Sequence, residues 1–95
     1  MDISVASNVV TIKGNIKSVS DYQTIKSAID NMKNNHTSIT LNIVDSISMT
    51  SSVIGYLNKL VLKDDVKVNI NIGNSQLMEL FEDLNLVSLF HVKKV

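Results

Sequence analysis

The chain has 95 residues, 44% hydrophobic and 19% charged, with nine acidic residues against nine basic ones. That length fits a single domain, residues 1–95, and that hydrophobic fraction argues against disorder. Every basic residue is Lys and Cys is absent; this argues against nucleic-acid binding, for which Arg is the best-suited side chain, and excludes disulfides, thiolate catalysis and Cys-based zinc sites.

The opening residues MDISVASNVV carry an acid at position two and no long apolar core, so they do not read as a signal peptide. No run approaches the roughly 18 apolar residues that span a bilayer. The expectation is a cytoplasmic protein with no membrane insertion. A net charge of zero gives little protection against self-association, which leaves a weak homodimer open.

In chain order, ISVAS and VVTIKG alternate, with Ile3, Val5, Val10 and Ile12 on one side. Period two with β-branched residues predicts a hairpin over about residues 2–14, turning near Asn8 and ending at Gly14. In SVSDYQTIKSAIDNMKNN, Tyr22, Ile25, Ile29 and Met32 recur at spacings of three and four. That predicts an amphipathic helix capped by Ser18 or Ser20 and ended by Asn34-Asn35, with Gln23, Lys26, Ser27 and Asp30 on its polar face.

TSITLNIVDS predicts a central strand with Ile39, Leu41 and Ile43 on one face. A second helix then carries Val53, Ile54, Leu57, Leu60 and Val61, closed by Asp64-Asp65. VKVNINIG alternates strictly and is the clearest strand in the chain. NSQLMELFEDLN predicts a third helix, capped by Asn74 or Ser75 and carrying Leu77, Met78, Phe81 and Leu84. VSLFHVKKV reads as a final strand. The order β-β-α-β-α-β-α-β calls for right-handed crossovers and parallel neighbours. The fold class is therefore α/β: one mixed sheet of about five strands with helices packed against it.

Catalytic constellations are weak. His36 and His91 are distant and lack a second ligand at helical spacing, so no metal site is expected. The three glycines, Gly14, Gly55 and Gly73, form no phosphate-binding pattern. Asp64-Asp65 and Glu82-Asp83 read as solvated helix ends, and no G-x-S-x-G elbow occurs. Neither an enzyme nor a cofactor is expected.

One stretch is unusual. DSISMTSSVIGYLNKLV, from Asp45 to Val61, places Ser46, Ser48, Thr50, Ser51 and Ser52 between a strand and a helix. Capping by Thr50 or Ser51 accounts for one or two of these hydroxyls. The longer run LNIVDSISMTSSVIGYLNKLV resembles the signature of STAS domains, the anti-sigma factor antagonist fold. In that pattern a strand ends in an Asp, and an acid-Ser-Ser-Gly run opens the next helix. Asp45 matches the strand-end Asp and Met49 the apolar residue before the motif. Thr50, Ser51 and Ser52 occupy the acid-Ser-Ser positions, Val53 stands at the glycine, and Gly55 matches a second small position. LMELFEDLNLVSLFHV also resembles the third helix and last strand of the family, and the element order agrees over nearly the whole chain.

The resemblance implies an anti-anti-sigma-type partner switch, a regulatory protein-protein interaction in transcriptional signalling. Its partner would be an anti-sigma factor that is also a serine kinase. The phosphoacceptor it implies is Ser51, with Thr50 and Ser52 as alternatives. It implies a partner-binding surface of Asp45, Ser46, Ser48, Met49, Thr50, Ser51, Ser52, Val53 and Tyr56. Thr50 in place of the acid, and Val53 in place of glycine, also fit a second reading. In that reading the chain is an unphosphorylated adaptor that docks on a transporter ATPase or signalling complex.

Overall fold

A computed structural model describes all of residues 1–95. The elements are β1 (Asp2–Ala6), β2 (Val9–Lys13), α1 (Val19–Met32), β3 (Ser38–Ile43), α2 (Ser51–Leu62), β4 (Lys67–Ile72), α3 (Ser75–Asp83) and β5 (Val92–Lys94). They build one five-stranded sheet in the order β1-β2-β3-β4-β5, antiparallel between β1 and β2 and parallel elsewhere. The expected α/β class and element order are both present.

Each crossover advances one strand in the same direction. With right-handed connections, that places α1, α2 and α3 on the same face of the sheet. Burial agrees. In β3 and β4, Ile39, Leu41 and Ile43, then Val68, Ile70 and Ile72, are buried, while the residues between them are not. A parallel sheet covered on both faces would read as a continuous apolar run. Here the alternation marks a sheet covered on one side only. Its open face carries rows of short polar side chains, among them Asn71, whose Nδ2 donates to Asn42 Oδ1 at 2.8 Å.

Local signals set the helix starts. Ser18 caps α1, and Asp21 returns the bond to complete a capping box. The backbone bonds from Lys17 and Ser18 hold the Asp21 carboxyl below its usual range. Thr50 caps α2 and Asn74 caps α3. The hairpin turns at Ser7-Asn8, where Ser7 adopts φ +56° and Asn8 Nδ2 ties the turn to Ser38 O.

Three sequence expectations differ from the structure. The last strand is only Val92–Lys94, because Leu86 to His91 form a tight turn in which Phe90 N–H donates to Leu86 O and Val92 N–H to Val87 O. That turn buries Phe90 edge-on against Phe81, with ring centroids 6.3 Å apart, a better use of the side chain than an edge strand offers. Leu84 ends α3 exposed instead of facing the core; Val5 keeps the side expected of it, opposite Val10, and is half exposed because β1 lies at the edge of the sheet. Tyr56, which the apolar stripe of α2 omits, is buried with Val53, Leu57 and Leu60.

Candidate functional site

The three βα connections lie at the carboxyl ends of the parallel strands, the edge at which α/β sheets present their sites. The β4–α3 connection is short. Gly73 N–H donates to Ile43 O, and a Cβ on Gly73 would lie 2.0 Å from Val44 O. Only glycine fits so close to that backbone. A shallow depression of about 450 Å³ opens beside it, lined by Asn42, Val44, Asn71, Gly73 and Val95.

The β2–α1 and β3–α2 connections clasp each other. Gly14 N–H donates to Asp45 Oδ1 at 2.7 Å, and Ile47 N–H to Asn15 Oδ1 at 3.1 Å. The Ser46 hydroxyl is fully buried. It accepts from Ile16 N–H at 3.0 Å and from Ser48 N–H at 3.3 Å, and it donates to Ser48 O at 2.7 Å. Ser48 Oγ closes the clasp by donating to Ile16 O at 2.8 Å. These side chains meet the need for partners that any buried backbone group has in an irregular loop.

The hydroxyls of the stretch therefore divide. Ser46 and Ser48 hold the clasp. Thr50 Oγ1 accepts from Val53 N–H at 3.2 Å and Thr50 O from Ile54 N–H, which starts α2. Ser51 and Ser52 are the exposed pair, on the first turn, and their hydroxyls engage no other group of the chain. Here the positive end of the helix dipole and the unpaired first-turn amides face outward.

Of the residues expected to touch a partner, Asp45, Ser51 and Ser52 are exposed, and Ser48, Met49 and Thr50 are half-buried. Ser46, Val53 and Tyr56 are corrected: all three are buried and offer no contact surface. Val53 fills the core at the position where the resemblance expects glycine. Two residues were missed, Val44 and Ile47, at 45% and 52% exposure. Ile47 points outward because the serines on either side point inward, the reverse of the usual assignment for apolar and polar residues. Gly55 is also exposed, and a Cβ there would meet nothing within 4 Å.

Tyr56 has a structural partner instead. Its hydroxyl donates to Asp30 on α1. Lys26 Nζ lies 2.6 Å from the other Asp30 oxygen and 5.5 Å from the centre of the Tyr56 ring. Lys33 bridges Asp30 and Asp64 at 3.4 and 3.7 Å. Burial works to raise the Asp30 carboxyl, but the bonds from Lys26 and Tyr56 outweigh it and hold the group at about 2. Burial, then Asp30, pushes the Tyr56 phenol well above its ordinary value. The bond to Asp30 raises Lys26. This network fixes α2 against α1 one turn beyond the exposed serines.

No group of three or more His, Asp or Glu side chains converges anywhere. His91 stands at φ +48° just before β5, with Nδ1 3.0 Å from Val68 O, and His36 lies in the loop before β3. No helix is long and apolar enough to cross a membrane. No family model, curated protein or solved structure matches the chain.

Proposed function

We propose that the chain is a regulatory protein-interaction domain, and that the exposed edge formed by Val44, Asp45, Ile47, Ser51, Ser52 and Gly55 is its contact surface. It works as an anti-anti-sigma-type partner switch in the cytoplasm, with Ser51 as phosphoacceptor and an anti-sigma factor with serine-kinase activity as partner. The observation that carries this reading is the division of hydroxyls. Ser46, Ser48 and Thr50 are engaged in the fold, which leaves Ser51 and Ser52 accessible at a helix N-terminus.

Phosphate on Ser51 would bring nearly two negative charges to first-turn amides that tolerate them. A partner that covers this first turn and buries apolar surface, such as that of exposed Ile47 in the preceding loop, would have to desolvate the same charge. Gly55 adds support. Glycine inside a helix costs about 1 kcal/mol relative to Ala, and no contact within this chain requires it. A partner backbone that approaches α2 closely would give it a reason.

The test is incubation with ATP and a serine kinase of the anti-sigma-factor type, followed by peptide mass spectrometry. Phosphate on Ser51, lost in Ser51→Ala, is the expected result. Phosphate on none of Thr50, Ser51 and Ser52 would sink the switch. The adaptor reading is favoured by Thr50, which supplies a cap where an acid beside a kinase target is expected. Ser51→Asp separates the two: a switch loses partner binding while staying folded, and an adaptor binds as before.

A further inference from the structure

The two edges of the sheet are protected to different degrees. β5 has three residues, two of them Lys93 and Lys94. Short length and Lys are standard protection for an exposed edge. β1 has five residues, Asp2-Ile3-Ser4-Val5-Ala6, with no Lys and no Pro, and it pairs with β2 in unbroken register.

Which of its groups are free follows from the ladder. Ile12 O accepts from Val44 N–H, so the backbone of Ile12 points toward β3. Ile12 is therefore not bonded to its β1 partner, Ile3, and the N–H and C=O of Ile3 point out of the sheet. The alternation repeats at Val5, opposite Val10. The free edge is thus the N–H and C=O of Ile3 and Val5, two donors and two acceptors in line.

We infer that β1 pairs antiparallel with β1 of a second copy of this chain about a dyad at Ser4, joining two sheets into one of ten strands. The strand is self-complementary in that register. Ile3 faces Val5 of the second copy and Val5 faces its Ile3, which makes four backbone hydrogen bonds and two β-branched pairs on the helix side. Val5, half exposed in the single chain, gains cover. Charge also permits it. Asp2 is the only charge on the strand, it faces Ala6 of the other copy, and the two Asp2 lie roughly 14 Å apart along the strands. Ser4 meets Ser4 as a non-hydrogen-bonded pair with Cα atoms about 4.5 Å apart, inside the disulfide range of about 4.4–6.8 Å.

The chain has no Cys, so a single Ser4→Cys reports the dyad by oxidative cross-linking. Sedimentation equilibrium measures association between about 10 µM and 1 mM, the range of weak small interfaces. The wild type is expected to pass from monomer to dimer over that range. Val5→Pro removes an outward N–H without touching the β2 ladder. Ser4→Lys places like charges opposite each other at the dyad. Each should keep the circular dichroism spectrum and weaken association at least about tenfold; Ser4→Lys decides if Val5→Pro unfolds. Ser4→Cys should cross-link at least about tenfold faster than Ala6→Cys, an advantage that Val5→Pro removes. A monomer at 1 mM, a dimer that both variants leave intact, or equal cross-linking at positions 4 and 6 would overturn the inference. So would a monomeric wild type whose edge amides respond only to an added extended Thr-Val peptide.

Discussion

Ser46→Ala deletes one oxygen and tests the clasp directly. Three backbone groups lose their side-chain partner: Ile16 N–H, Ser48 N–H and Ser48 O. Ile16 is fully buried, so water does not replace its bond, and an unsatisfied buried donor costs about 1–3 kcal/mol. Ser48 is half exposed and its N–H bond is the longest of the three at 3.3 Å, so its two groups together add about 1 kcal/mol. The expected loss is about 2–4 kcal/mol, a large part of the roughly 5–15 kcal/mol that holds a small domain folded. Urea unfolding followed by circular dichroism should show a lower midpoint at unchanged slope. The melting temperature should fall by about 4–8 °C for each kcal/mol. Ser51→Ala and Ser52→Ala are the controls and should stay within about 0.5 kcal/mol of wild type. If Ser46→Ala also stays within that margin, the clasp does not hold the loop and the division of hydroxyls fails as an argument for Ser51.

Thr50→Ala should cost about 1 kcal/mol through loss of the α2 cap, read by the same unfolding curves. Gly55→Ala should raise stability by about 0.5–1 kcal/mol yet weaken partner binding, whereas Gly73→Ala should unfold the protein or cost more than about 2 kcal/mol, since its Cβ meets backbone at 2.0 Å. Asp30 titrates at about 2 folded against 3.8 for a free group, so its contribution is fully present above about pH 4 and disappears as pH falls through 2. The full shift corresponds to about 2.4 kcal/mol, and partial exposure of the side chain reduces this to about 1 kcal/mol. Asp30→Asn should lower stability at pH 6 and leave it nearly unchanged at pH 2; equal losses at both would refute the assignment.

Much of the fold was legible because its signals are local. VKVNINIG alternates without a break, and β4 follows it. The stripe Ile25, Ile29 and Met32 is the buried face of α1. What was not legible depends on partners far along the chain. Tyr56 carries a polar tip and falls outside the apolar stripe, yet Asp30, 26 residues earlier, receives that tip and lets the ring enter the core. Ser46 is buried because Ile16, 30 residues earlier, supplies a backbone N–H. No spacing within DSISMTSS announces this. The outward turn of Ile47 follows from the same fact, so the apolar part of the candidate surface was hidden as well. Val87 to His91 mix β-branched and aromatic residues and suit a strand in isolation, but Phe81 offers Phe90 a buried partner and the backbone turns to reach it.

Surface loops ordinarily tolerate insertions and drift. The clasp removes much of that tolerance from the β3–α2 connection. Asp45, Ser46, Ser48 and Thr50 each meet a fixed backbone atom, so one added residue would put every later hydroxyl out of step with its target. Variation that keeps the fold is confined to the outward positions, Ile47, Ser51 and Ser52. A lineage, or a designer, could rewrite those three positions, and with them the chemistry of this surface, while the scaffold beneath them stayed the same.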